Sequence, residues 1–265
     1  MLMQEILARE VAPGTVAMWW IGQGGYAIKT PTGKVILLDA YLSNYAAQRI
    51  DPEFPRRYPA PIDPGQIACD YMICTHDHCD HLDPGAIGPM PDKDSVLFIA
   101  PRLCRPRLLE LGAPAANIHE LNVGDGRRFP DFKIRATFCI PNEECVIDSI
   151  GCLISIPDGP TLYFSGDTGY TPFLEYVKGY EPDVVLTCIN GRFGNMNAQE
   201  AARLTAALKP KLAIPNHYDM FERNLADPEE FRRELSVVAP QIPCKILHVG
   251  ERLIWPQGAD AQSLE

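Results

Sequence analysis

The residues His76, His78, Asp80 and His81 place three imidazoles and a carboxylate within six positions, in a chain of 265 residues that holds six histidines in all. Neutral imidazole nitrogens and carboxylate oxygens suit zinc, manganese or iron(II). Four donors packed this closely over-supply a single ion and can be shared between two. Cys79 lies among them, but its neighbours already supply enough donors, so it reads as a spectator.

Two further segments bring donors in the same way, each at the end of an apolar run. Tyr163-Phe164 leads into Ser165-Gly166-Asp167, where glycine lets the backbone turn and leaves Asp167 at the strand's end. A carboxylate there can bridge two cations, or else cap the following segment. Leu212-Ala213-Ile214 leads to Pro215-Asn216-His217-Tyr218-Asp219, again a strand that ends at an imidazole. A third run, 184–187, opens into a glycine-punctuated loop suited to touching substrate. Asn190 and Arg192 are its candidate contacts, Arg192 as a planar fork for phosphate or carboxylate, and Tyr218 is a third. His119 and His248 lie in or beside short apolar strands and read as structural.

The run 71–74 before the histidines is short and apolar, a buried strand whose carboxyl end holds the donor loop. Upstream, strand-like segments at 16–21, 26–30 and 35–39 are separated by turn residues and predict hairpins. After the motif, strands at 95–100 and 117–121 alternate with a helix over 102–111. A second set of hairpins follows at 132–140, 150–156 and 161–165. A helix from about Pro172, a strand at 184–187, a helix over 198–208 and a strand at 212–214 complete the alternation. Asn197 with Glu200 has capping-box spacing, and Asp227-Pro228 opens another helix. Hairpins then αβ units, twice over, predict an α/β fold: an αββα sandwich of two mixed β-sheets flanked by helices, in a single domain over 1–265. The proline-rich stretch 51–64 predicts a loop near the site.

Composition bounds the function. With 46% hydrophobic and 22% charged residues the chain is ordinary globular material. A net charge of −10 argues against a nucleic-acid surface. Arg102, Arg105 and Arg107 form the densest basic cluster and read as a solvated helix face. No run approaches a membrane span, and the start of the chain lacks a signal peptide's pattern, so a cytoplasmic protein is expected. The nine cysteines are scattered and odd in number, which suits free thiols in a reducing compartment. A homo-oligomer stays open: strand alternation turns one of Trp19 and Trp20 outward, where it would mark an interface.

With these residues in hand, the chain resembles the metallo-β-lactamase fold superfamily, whose His-x-His-x-Asp-His signature is met by His76, His78, Asp80 and His81. The segments Val11 to Thr15 with Ala17-Met18-Trp19-Trp20, and Ile214 to Asp219, make it similar to the L-ascorbate-6-phosphate lactonases within it. The resemblance implies two divalent metal ions, manganese or zinc. One is held by His76 and His78, the other by Asp80, His81 and His217, with Asp167 bridging. A histidine that usually completes the first site is missing, and Glu144 is its favoured substitute by its distance from Pro141. An oxygen donor there shifts preference toward manganese. The implied reaction is hydrolysis of a small polar, possibly phosphorylated, lactone or ester by a metal-bound hydroxide, with Asp80 as a catalytic proton donor to the leaving alkoxide. The alternatives are a phosphodiesterase of the same fold and a non-catalytic module that binds metal or ligand.

Overall fold

The computed structural model describes residues 1–141 and 146–256. Its strands are β1 (Val16–Gly22), β2 (Gly25–Lys29), β3 (Val35–Leu38), β4 (Tyr71–Ile73), β5 (Leu97–Ala100), β6 (Ile118–Glu120), β7 (Gly126–Arg128), β8 (Lys133–Phe138), β9 (Ile150–Ser155), β10 (Thr161–Phe164), β11 (Val184–Cys188), β12 (Leu212–Asn216) and β13 (Arg252–Trp255). The α-helices are α1 (Leu2–Ala8), α2 (Pro84–Ile87), α3 (Arg105–Glu110), α4 (Ala198–Leu208) and α5 (Pro228–Val238).

Two mixed sheets result. The first runs β13-β1-β2-β3-β4-β5-β6 and the second β12-β11-β10-β9-β8-β7. Each is antiparallel where hairpins connect its strands and turns parallel where helical segments do: from β3 onward in the first sheet, from β10 onward in the second. The twice-repeated order of the sequence is therefore the order of both sheets.

Strand alternation explains how the layers stack. Val16, Met18 and Trp20 of β1 enter a core that also holds Ile134, Cys152, Ile154 and Phe164 from the second sheet. Ala17, Trp19 and Ile21 point the other way, into a layer with Met3 and Ile6 of α1, Ala86 of α2 and Leu108 of α3. Both indoles are thus buried, and neither faces outward as alternation alone suggested. The first sheet is covered on both faces, which strand periodicity does not reveal. Each indole N–H finds a partner, Trp19 at Glu5 Oε1 (3.1 Å) and Trp20 at the Gln23 carbonyl (3.0 Å). Fully burying a large apolar side chain stabilises the fold by roughly 1.5–3 kcal/mol.

Local chemistry sets the helix ends. Lys29 of β2 donates to the Ile6 carbonyl at the end of α1, tying that short helix to the sheet. Asn197 and Glu200 form the expected capping box, at 2.9 and 3.0 Å, and the Asp227 carboxylate accepts the Glu229 N–H at 3.0 Å above Pro228. The segment from Pro172 is a 3-10 helix, Pro172–Tyr180, rather than an α-helix. The span expected as one helix over 102–111 is a 3-10 turn, Arg102–Cys104, followed by α3. Helix α1 and strands β7 and β13 had no clear signal in the sequence. The described cysteines are free thiols. No helix among the described residues is long and apolar enough to cross a membrane.

Candidate metal centre

The donor loop leaves β4 at Ile73, and the parallel pairing continues one step further, with the Cys74 N–H on the Ile99 carbonyl and the Asp39 N–H on the Ile73 carbonyl. Asp39 ends the neighbouring strand β3 in the left-handed region, at φ 44°. Its fully buried carboxylate accepts the Thr75 N–H (2.7 Å) and the Thr75 hydroxyl (2.6 Å) at the loop's start, and meets His81 Nδ1 (2.7 Å) at its end. One side chain so fixes both ends of the loop. By engaging Nδ1 it directs His81 Nε2 inward, the usual way a carboxylate orients an imidazole toward a metal.

Asp167 arrives from the end of β10. Gly166 sits at φ 63°, and a Cβ there would stand 2.5 Å from the Ile150 carbonyl oxygen, so glycine alone allows this turn. The Asp167 carboxylate accepts a hydrogen bond from Asn195 Nδ2 at 2.8 Å. His217 follows β12 and is itself left-handed, at φ 60°, an uncommon state for a residue other than glycine. Its backbone N–H donates to the Gln23 carbonyl at 3.1 Å. Gln23, in the tight β1–β2 turn, also sets its amide nitrogen 2.7 Å from Asp80 Oδ2 and 3.1 Å from His217 Nε2.

These segments bring His76, His78, Asp80, His81, Asp167 and His217 together. His81 Nε2 lies 3.3 Å from His217 Nε2, 3.4 Å from Asp167 Oδ1 and 3.7 Å from Asp80 Oδ2. His217 Nε2 lies 3.2 Å from Asp167 Oδ2 and 3.7 Å from Asp80 Oδ2. His76 Nε2 and His78 Nδ1 face each other at 3.0 Å. Among the described residues, two clusters have metal-ligand spacing, His76 with His81 and Asp167, and Asp80 with His81 and His217.

The donor set fits a divalent cation. Ligands held 2.0–2.2 Å from a tetrahedral ion stand roughly 3.3–3.6 Å apart, the range of His81's contacts with His217 and Asp167. Burial, with His81 next to it, pushes His76 well below the ordinary imidazole range, into the neutral form that binds metal. Burial alone would raise Asp80 and Asp167, yet the imidazoles of His81 and His217 outweigh it and hold both carboxyls low. Burial would lower His81, but Asp167, Asp80 and Asp39 drive it well above the ordinary range. Two buried carboxylates, Asp39 and Asp167, and the half-buried Asp80 around one imidazole carry a negative excess that a cation would balance.

The cluster floors a cleft of about 490 Å³, lined by His78, Asp80, Asp167 and His217 together with Ile50, Phe54, Phe193 and Phe221. Phe54 comes from the stretch 51–64, which lies beside the site. Arg107 is not a free helix face: its Nε pairs with Asp77 Oδ1 at 3.0 Å, at the cleft.

The other expected contacts sit elsewhere. Asn190 is buried, donating to Asn224 Oδ1 (2.9 Å) and the Arg192 carbonyl (3.3 Å). Arg192 donates to the Arg223 carbonyl at 3.3 Å and does not line the cleft. Tyr218 lies tilted against Trp20, ring centroids 4.5 Å apart, and donates to the Leu247 carbonyl, in a separate cavity of about 550 Å³. Glu144 lies outside the described residues. Gln23, Asp39 and Asn195 were not anticipated. Asp39 alone had a signal, an acid closing the apolar run Val35-Ile36-Leu37-Leu38 beside the histidine strand.

The sequence pattern described as "Beta-lactamase superfamily domain" matches residues 34–218. A probable L-ascorbate-6-phosphate lactonase of Escherichia fergusonii is 26% identical over 307 aligned residues, covering 98% of this chain and 86% of the relative. Among solved structures, a metallo hydrolase from the archaeon Ignicoccus hospitalis superposes with a TM-score of 0.74 at 22% identity, covering 91% of this chain and 98% of that one. An isothiocyanate hydrolase from Delia radicum gut bacteria gives 0.72 at 21% identity, covering 89% and 98%.

Proposed function

The chain belongs to the beta-lactamase superfamily and is a metal-dependent hydrolase, and we propose that it opens a small lactone or ester. The observation that carries this reading is the convergence of Asp80, His81, Asp167 and His217 at the floor of an open cleft. The similarity to a probable lactonase along nearly the whole chain supports the choice of bond.

Divalent cations bound by His76, His78, Asp80, His81, Asp167 and His217 would supply a water of near-neutral pKa and a Lewis acid for the carbonyl oxygen. The protein's own groups do the rest. His81, fixed by Asp39, and His217, fixed by backbone strain, set the donor geometry before substrate arrives. That rigidity spares the reaction a reorganisation cost. Asp80, kept ionised by His81 and His217, accepts the proton of the attacking water. The water oxygen bonds to the carbonyl carbon, the carbon–oxygen bond of the lactone or ester breaks, and Asp80 returns the proton to the departing alkoxide. The product is a hydroxy acid, or an acid and an alcohol.

The test is a panel of lactones and activated esters, with bis(p-nitrophenyl) phosphate beside them, on protein loaded with manganese or zinc. Turnover of carbon esters that disappears with chelator is expected. Turnover of the phosphodiester alone would replace this reading with phosphodiester hydrolysis.

A further inference from the structure

The walls of the same cleft narrow the substrate class, an inference that rests on the hydrolase reading above. Around the donor floor stands an aromatic wall: Phe54 has its ring centroid 6.1 Å from Phe193 and 5.5 Å from Phe221, and Tyr41 packs 5.6 Å behind Phe221. At the mouth, Phe193 and Ile50 remain 57% and 67% exposed. Large apolar side chains exposed at a cleft rim mark a place where an apolar ligand gains by burying them.

The charges point the same way. Asp51, Asp77, Asp80 and Asp167 line the cleft, and among the described lining residues Arg107 is the one lysine or arginine. Arg107 is already engaged by Asp77. Of the guanidiniums around the wall, Arg223 pairs with Glu53, Arg57 with Asp219 and Glu222, and Arg56 donates to the Tyr41 and Tyr58 carbonyls. A phosphate on the substrate's tail would lie among phenyl rings and carboxylates, giving up its hydration for no forked partner.

We infer that the site takes a lactone or ester whose substituent is uncharged and apolar, alkyl or aryl, and disfavours a phosphorylated one. The cluster on the floor handles the carbonyl, and Ile50, Phe54, Phe193 and Phe221 hold the tail.

The experiment compares δ-decalactone with a phosphorylated gluconolactone on the metal-loaded full-length protein. Alongside, calorimetry follows binding of the pentyl-substituted lactam, which has the shape of δ-decalactone without its labile ester bond. The expected result is a kcat/KM for δ-decalactone at least about tenfold above that for the phosphorylated lactone. Phe193→Ala and Ile50→Ser, both on exposed side chains, should raise KM for δ-decalactone and weaken lactam binding by roughly fivefold, with kcat little changed. A preference for the phosphorylated lactone overturns the inference, and so does lactam binding that neither substitution weakens. Lactam binding that both substitutions weaken, with neither lactone hydrolysed, upholds the apolar tail site and removes the lactonase reading instead.

Discussion

The two ends of the donor cluster are built by different means. His76 and His78 meet because they are two residues apart on one loop, where their ring nitrogens face each other at 3.0 Å and the Thr75 hydroxyl stands 3.0 Å from His76 Nδ1. Asp80, His81 and His217 meet across 137 positions of sequence. That end needs a buried Asp39 clamp, the Gln23 amide and a left-handed backbone at His217. Nearness in sequence brings two donors together at small conformational cost, whereas a donor from another sheet needs neighbouring groups that hold a strained backbone in place.

This contrast can be broken at four points. Asp167 reaches both ends, sharing one candidate site with His76 and lying beside His81 and His217 at the other, so Asp167→Ala should cost roughly a thousandfold in kcat/KM, about 4 kcal/mol of transition-state stabilisation. Steady-state turnover on the best carbon ester reads this directly, and full activity would remove Asp167 from both ends at once.

Next come the single-end variants. His81→Ala should strip the clamped end, while His78→Ala should leave that end able to retain cation through dialysis. Elemental analysis of the two purified variants checks the difference, and equal retention would show that the two ends are alike in strength. A smaller effect is expected at the clamp itself. Asp39→Asn keeps the shape but changes what His81 Nδ1 meets, and should weaken metal affinity roughly 10–100-fold, since outer partners of metal-bound histidines carry that much. A competition assay with a coloured chelator measures it.

The smallest effect lies away from both ends and sets a baseline. Burial alone would raise the Glu251 carboxyl, but Lys245 and the His248 N–H hold it below its usual range. A carboxyl depressed by folding lends stability above the unfolded value of about 4.3. That stability is lost as pH falls through the depressed value. Glu251→Gln should therefore lower stability by under about 1 kcal/mol at pH 7, a difference that shrinks as pH is lowered through the depressed value, in urea melts across that range.

Much of the architecture was legible because strand and helix signals are local. The hairpin and αβ order, and the donors at His76, Asp167 and His217, all follow from apolar runs that end in polar groups. The misses were tertiary. Gln23 carries no motif, and only the docking of β12 beside the β1–β2 turn gives its amide Asp80 and His217 to face. The aromatic wall joins Phe54, Phe193 and Phe221, which periodicity places on three unrelated loops. Trp19 and Trp20 both go inside because a helical layer covers the strand's second face. Arg107 looked like one of three solvated cations until the fold set Asp77 beside its guanidinium.

The donors leave strand ends of two different sheets: His81 follows β4 of the first, Asp167 and His217 follow β10 and β12 of the second. A cation held by all three is a rivet through the sandwich, and its grip is added to the work of prying the layers apart. At a free concentration of 100 times Kd, such a ligand adds about 2.7 kcal/mol to unfolding. Thermal resistance of this protein should therefore rise and fall with metal supply, so that scarcity would be felt first as fragility of the whole molecule.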